Sequence, residues 1–396
     1  MIASRRALLG LAGSLMLGGN RLAFAEVAAP DPEARLVVVL LRGALDGLAA
    51  APPYGDPDYI RHRGDLALGE PGQDGGALDL GGFFGLHPQL EQLHRMYQAG
   101  EALVVHAVAG PWRSRSHFEA QDLLEAGADH RMASGWLNRA LQSLAPEPPG
   151  ASRRALAVGI DVPLLLRGPA GVGGFFPTGA SRPEASVWSE LAALSRHDPL
   201  LGPAMLEGLR ARGFSAAVLA GTEAPPGDRF GFPALAASAG RLLAQPNGPR
   251  IAALELVGWD THAFQAARLQ GRLGQLDGGL AALRTQLGAA WQRTAVLVVT
   301  EFGRTVRVNG TRGTDHGTAG CAFLLGGAVA GGRVLADWPG LAPERLFQNR
   351  DLAPTRDLRA LAKALLRDHL RLPAAAVAEA FPGSAGVDAE PGLLRG

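Results

Sequence analysis

Residues 294–299 (TAVLVV) are an unbroken apolar run rich in β-branched side chains, and the polarity reverses almost as soon as it ends. Such a run forms a strand buried on both faces, as in a parallel sheet with helices above and below. It is followed by TEFGRTVRVNGTRGTDHGTAG, residues 300–320, in which Glu301, Arg304, Asp315 and His316 stand among small residues. A buried strand that releases carboxylate, guanidinium and imidazole into a Gly-rich loop is how open α/β sheets build sites at their carboxyl edge. Asp315 and His316 place a hard oxygen beside a borderline nitrogen, a pair suited to a divalent metal or to a polar turn.

The same figure recurs along the chain. Residues 35–41 (RLVVVLL) lead to Asp46, whose carboxylate serves either an Asp-Gly turn or a site. Residues 102–109 (ALVVHAVA) enclose His106, where a hydrogen-bonded core imidazole is expected. Ser116, His117 and Glu119 then open a helix that runs through Gly127. Ser116 and Glu119 spell a capping box, while a hydroxyl at a helix start also suits a nucleophile or oxyanion binder. Residues 155–160 (ALAVGI) form a third strand ending at Asp161. Residues 251–257 (IAALELV) end in Gly258-Trp259-Asp260-Thr261-His262; if extended, this segment projects Asp260 and His262 to one side as a fork for a cation. Leu269, Leu273, Leu276, Leu280, Leu283 and Leu287 make a helical stripe for packing on the sheet. Cys321 is the one cysteine and reads as a small buried hydrophobe, so no internal disulfide is expected.

Ser4-Arg5-Arg6, an apolar stretch over 7–17 and Ala23-Phe24-Ala25 read as a twin-arginine export signal cut after Ala25. The stretch is too short to span ~30 Å of hydrocarbon, and no other segment reads as transmembrane. A periplasmic or extracellular location and a passage through the twin-arginine export machinery are therefore expected. Removing residues 1–25 takes away Arg5, Arg6 and Arg21 and no acid, leaving 35 basic against 37 acidic side chains, so no nucleic-acid surface is indicated. The remainder reads as a single α/β domain over 35–385, with a helical and Gly/Pro-rich cap inserted at about 161–250 and a loose tail at 386–396.

SRSHF at 114–118, GWDTH at 258–262, TEFGRT at 300–305 and TDHG at 314–317, behind that signal, resemble the family catalogued as domain of unknown function 1501. That family is similar in fold to the alkaline phosphatase and sulfatase superfamily, whose members carry metal ligands after the first strand, a hydroxyl or modified nucleophile at a helix start and late Asp-His pairs. The resemblance implies an alkaline-phosphatase-like α/β fold. Asp46, Ser116, Asp315 and His316 would match one metal site plus nucleophile, and Asp260 and His262 the start of a second. The superfamily spaces that second pair more widely, so His117, Glu301 or water would complete it.

Together these features lead to an expected metal-dependent hydrolase of sulfate or phosphate esters, acting on a small-molecule or polymer substrate with zinc, calcium, magnesium or manganese. Asp46, Asp315 and His316 would be ligands, Asp260, His262 and His117 a second or shared set, Ser116 (or Ser114) the nucleophile, Glu301 a catalytic group and Arg304 a clamp for anionic oxygens. The alternative is a non-catalytic protein of the same fold that binds an exported polymer or a partner protein.

Overall fold

The computed structural model of the chain describes residues 33–144, 154–159, 161–175 and 231–396, together with 194, 198, 218 and 219. The export signal at 1–25 lies outside the described residues, as does the middle of the expected cap, 176–230, apart from 194, 198, 218 and 219.

The strands are β1 (Arg35–Arg42), β2 (Leu78–Asp79), β3 (Gly85–Leu86), β4 (Ala102–Ala109), β5 (Ala155–Val158), β6 (Gly173–Phe175), β7 (Ile251–Val257), β8 (Thr294–Thr300), β9 (Gly320–Leu325), β10 (Arg333–Leu335) and β11 (Arg356–Asp357). The α-helices are α1 (Gly47–Ala50), α2 (Tyr59–Arg63), α3 (Glu91–Gln98), α4 (His117–Ala126), α5 (Trp136–Gln142), α6 (Phe232–Ala244), α7 (Gln265–Leu287), α8 (Leu358–Ala364) and α9 (Ala374–Ala380). The central sheet has the order β10-β4-β9-β8-β1-β7-β5-β6, with β11 also paired to β4. β1 lies parallel to both β7 and β8, whereas β9 runs antiparallel to β4 and β8. Because β9 is reversed, it begins at the edge where β1, β4, β7 and β8 end. That reversal delivers Asp315 and His316, just before β9, to the same edge as the segments that follow the other strands.

Alternation along β1 divides the core. Val37, Val39 and Leu41 join an apolar layer that includes the α7 stripe, while Leu36, Val38 and Leu40 join one that includes Leu137, Leu361 and Phe381. The six leucines of the α7 stripe are all at most 2% exposed. Burial of side chains this size stabilises by roughly 1.5–3 kcal/mol each, so the helix is held by packing rather than by its weak start, where Phe264 makes no side-chain cap. Cys321 is free and buried on β9, as its apolar surroundings in the sequence indicate.

Two expectations about the chain's periphery change. The tail at 386–396 is fastened: Leu393 is 1% exposed, Leu394 bridges to Val329, and Arg395 donates to the carbonyls of Val329 and Gly100. The described ends of the expected cap belong with the sheet layers, since β6 extends the sheet beside β5 and α6 packs on α7. No described helix is long and apolar enough to cross a membrane.

Candidate metal centre

Segments after β4, β7 and β8 and before β9 bring their polar side chains together at the carboxyl edge. In Gly258–His262 the extended chain alternates: Trp259 and Thr261 are buried, with Trp259 Nε1–H donating to the Leu256 carbonyl, while Asp260 and His262 reach outward. Two glycines let the other segments lie flush. A Cβ on Gly303 would stand 1.8 Å from the Ala319 carbonyl oxygen, and one on Gly317 would stand 2.4 Å from Arg304 backbone. Their close contact is closed by Gly303 N–H to Thr318 O at 2.9 Å and Gly317 N–H to Gly303 O at 2.8 Å. Glycine in EFGR and DHG is thus a requirement of two backbones meeting.

His117, His262 and His316 converge through Nε2. His316 Nε2 lies 3.0 Å from His117 Nε2, 3.0 Å from His262 Nε2 and 3.2 Å from Asp260 Oδ1. Asp260 Oδ1 is also 2.9 Å from His262 Nε2 and 3.5 Å from His117 Nε2. Ligand atoms of His117, Asp260 and His316 all fall within 4.8 Å of one another.

Each ring is anchored at its other nitrogen. His117 Nδ1–H donates to Glu301 Oε1 at 2.7 Å, His262 Nδ1–H to Asp315 Oδ1 at 2.9 Å, and His316 Nδ1–H to the Arg115 carbonyl at 2.8 Å. Those bonds assign the tautomer that leaves Nε2 with a lone pair, the arrangement by which outer partners orient metal-bound imidazoles. Three neutral rings so held present lone pairs to one another. Burial disfavours a relieving proton on His316 Nε2, whereas the Glu301 hydrogen bond favours one on the His117 ring. A cation among His117 Nε2, His316 Nε2 and Asp260 Oδ1 satisfies those three donors, with His262 Nε2 alongside, and nitrogen with carboxylate oxygen is a donor set for zinc or a similar ion. The residues fit the metal.

Electrostatics follow from these pairings. The Glu301 hydrogen bond raises the His117 ring against the lowering effect of burial. Burial pushes the Glu301 carboxyl up, but donors from His117, Gln121 and Gly43 outweigh it and hold it below the ordinary value. Burial likewise opposes ionisation of Asp260, and the Arg304 guanidinium overrides it. Asp315 is lowered too, burial being outweighed by the bonds from His262 and Asn309.

Several expected roles shift. Asp46 does not join the imidazoles: it is 1% exposed, its Oδ1 caps α1 at Leu48 N and Ala49 N, and its Oδ2 is bound by Arg63 and by Gln265 Nε2 at 2.6 Å. A buried guanidinium already neutralises it, which removes its reason to take a metal. Arg304 is 2% exposed and gives its N–H groups to Asp260 Oδ1 at 2.6 Å and to Thr314, so it orients Asp260 instead of facing a substrate anion. Glu301 and Asp315 stand behind His117 and His262. Ser116 occupies the N-cap position of α4 but makes no capping bond, so the Ser116–Glu119 box is not formed; the residue is exposed and immediately precedes His117 in the chain, and Ser114 Oγ accepts from Ser116 N. Gln121, Asn309 and Gln265 carry no motif signal, yet Asn309 Nδ2 reaches both the His262 carbonyl and Asp315. Gln265 Oε1 accepts from Thr261 and Thr314 and so links Asp46 to the Arg304 side of the centre.

A family model described as Protein of unknown function (DUF1501) matches residues 96–381, which takes in Ser116 and every residue of the imidazole cluster and leaves Asp46 outside. The chain belongs to the DUF1501 family. No curated protein matches it in sequence. Among solved structures, the DUF1501 chain is similar to the phosphonate monoester hydrolase of Agrobacterium radiobacter at 12% identity and TM-score 0.35, over 76% of this chain and 70% of that one. It is similar to alkaline phosphatase from the Antarctic bacterium TAB5 at 11% identity and TM-score 0.37, over 78% and 94%. The C-terminal periplasmic domain of EcEptC from Escherichia coli, solved with Zn, gives 9% identity and TM-score 0.37 over 76% and 74%. Likeness at that level transfers no chemistry to the DUF1501 chain.

Proposed function

We propose that this protein is an exported, metal-dependent hydrolase of phosphate or sulfate esters, with the ion held by His117, Asp260 and His316 and with His262 beside them. The observation that carries the reading is the convergence of three imidazole Nε2 atoms on one carboxylate oxygen, each ring fixed from behind by an acceptor. The ester class comes from the motif resemblance. When bound, a divalent ion supplies Lewis-acid polarisation of an ester oxygen. The Ser116 hydroxyl, uncapped and next to His117, is the group free to attack or to position the ester. Glu301 keeps the His117 Nδ1 proton in place, Asp315 does the same for His262, and Arg304 keeps Asp260 ionised.

The test is elemental analysis of the protein recovered through its own export route, followed by a panel of phosphate and sulfate monoesters with the wild type and Ser116→Ala. Bound divalent metal and turnover lost in Ser116→Ala support the proposal; no metal and no turnover when metal is supplied overturn it.

One observation favours the second reading, a non-catalytic binding protein of the same fold. Glu301 and Arg304, an acid and a guanidinium bonded to members of the cluster, are both closed in and turned toward protein partners. In that case metal binding persists in Ser116→Ala, as does retention of an exported polymer or partner protein, and no ester is turned over by either form.

A further inference from the structure

The loop between β4 and α4 carries Ser116 to the imidazole cluster, yet no described backbone–backbone hydrogen bond involves residues 111–115. The loop is held instead through its side chains. Trp112 Nε1–H donates to the Glu301 carbonyl at 2.8 Å, and the Arg113 guanidinium lies over the Phe347 ring at 6.0 Å from its centroid. Arg115 donates to Asp351 Oδ2 from Nε at 3.0 Å and from Nη2 at 2.6 Å, and to Gln348 Oε1 at 2.8 Å. Phe347, Gln348 and Asp351 belong to one tight turn, closed by bonds in both directions between Phe347 and Asp351. Within it Gln348 and Asn349 both take positive φ, 55° and 52°, a backbone that ordinary side chains seldom adopt.

Asp351 is 0% exposed, and its Oδ2 also accepts from Thr318 Oγ1 at 2.8 Å. One buried oxygen therefore grips Arg115, next to Ser116, and Thr318, just after His316. The Arg115 carbonyl accepts the His316 Nδ1 proton, so the side chain and the main chain of Arg115 connect Asp351 to the ring at the middle of the cluster.

We propose that Asp351 is a positioning residue of the centre: through Arg115 it fixes where the Ser116 loop lies and which nitrogen of His316 faces the metal. Ser116 is bracketed by the two consequences, with the Arg115 carbonyl on His316 before it and the His117 ring against His316 after it. This rests on the metal reading given above. Outer partners of this kind change metal affinity by about 10–100-fold when removed.

The experiment compares wild type, Asp351→Asn and Arg115→Ala, using cobalt(II) as the probe and reading its affinity, its visible absorption band and, in the metal-free proteins, the 15N shifts of the His316 ring. Lys363→Met is the control, because Lys363 clamps the carbonyls of Ser384 and Val387 and its loss lowers stability without touching the centre. Expected are cobalt binding weakened about 10–100-fold with an altered band in both test variants, a His316 ring that no longer holds its proton on Nδ1, and no change of either kind in Lys363→Met. Wild-type affinity and band in the folded test variants, or equal weakening in Lys363→Met, overturns the proposal. Should Asp351→Asn fail to fold, Arg115→Ala decides, since that side chain is 28% exposed. If the wild type binds no cobalt, the metal reading falls by itself, and the His316 shifts judge the clamp: Nδ1–H kept in Arg115→Ala rejects it, Nδ1–H lost supports it.

Discussion

His117 and His316 face each other through Nε2 at 3.0 Å, and each ring has already committed its Nδ1 proton elsewhere, to Glu301 and to the Arg115 carbonyl. With both rings neutral, neither nitrogen has a hydrogen to offer the other. His262 repeats the relationship with His316 from another side. Such contacts are repulsive without a cation or an added proton, and the fold maintains them with buried partners instead of letting the rings turn away.

His316→Ala removes the ring that both other imidazoles approach. Divalent metal affinity, measured by competition with a chelator, is expected to fall by more than about 100-fold, beyond the range seen for outer partners. Chelation of the wild type should abolish ester turnover and restoration of metal should return it. Unchanged affinity in His316→Ala would place any metal elsewhere.

Glu301→Gln keeps the size of the side chain but removes the charge that fixes His117. Glu301 accepts from Gly43, His117 and Gln121 on Oε1, so an amide nitrogen in that position meets three donors, while one in the Oε2 position can donate to the Thr300 hydroxyl, whose own hydrogen reaches the Leu41 carbonyl. Metal affinity should drop about 10–100-fold, with lower thermal stability, and Glu301→Asp should restore neither. Titration calorimetry and melting curves read both.

What was legible in the sequence was whatever repeats with a local period. The apolar runs at 35–41, 102–109, 251–257 and 294–299 all became strands of the sheet, and the leucine stripe of α7 is buried as its spacing indicates. GWDTH was readable for the same reason, since alternation alone turns Trp259 and Thr261 in and Asp260 and His262 out. Partners distant in sequence were not readable. Nothing near Asp46 announces that Arg63 will take it, and Arg115 and Asp351 are 236 positions apart. Arg304 looked like a substrate clamp because its sequence neighbours are polar; only tertiary packing buries it against Asp260. The Ser116–Glu119 pattern does not form a capping box, and the loop before it is bonded to the Phe347–Asp351 turn, a partner more than 200 positions away.

The Asp46–Arg63 pair gives a test that separates scaffold from site. Both side chains are at most 1% exposed, and Arg63 also donates to the carbonyls of Thr305 and Val306. Arg63→Met leaves an unpaired buried carboxylate and should destabilise the protein by about 3–5 kcal/mol in denaturant titration. Metal affinity of the protein that remains folded should stay within about twofold of wild type, well inside the 10–100-fold loss expected of an outer partner. A loss as large as that of His316→Ala would restore Asp46 to the ligand set.

His106 supplies the pH dependence of the fold. The ring is fully buried in β4, with Nε2–H donating to the Ala51 carbonyl at 2.9 Å and Nδ1 accepting from Ala107 N–H at 2.9 Å, which defines a neutral tautomer. Protonating Nδ1 would set one N–H against another. Burial, opposed by the bond to Ala51 and the charge of Asp46, lowers the ring from 6.5 to about 4. The unfolded chain therefore binds the proton more readily between those values, so the stability contributed by the neutral ring is complete above about pH 6.5 and is lost as pH falls toward 4. The loss is on the order of 3 kcal/mol over that window. His87, also lowered to about 4 by burial, adds in the same direction, whereas His117, raised by Glu301, acts oppositely and loses its contribution as pH rises. Replacing His106 by Gln isolates its part: the variant should be less stable than wild type at pH 7, and the gap should narrow steadily as the pH of urea titrations is lowered to 4. A gap that stays constant across that range would mean that the ring titrates alike in the folded and unfolded chain.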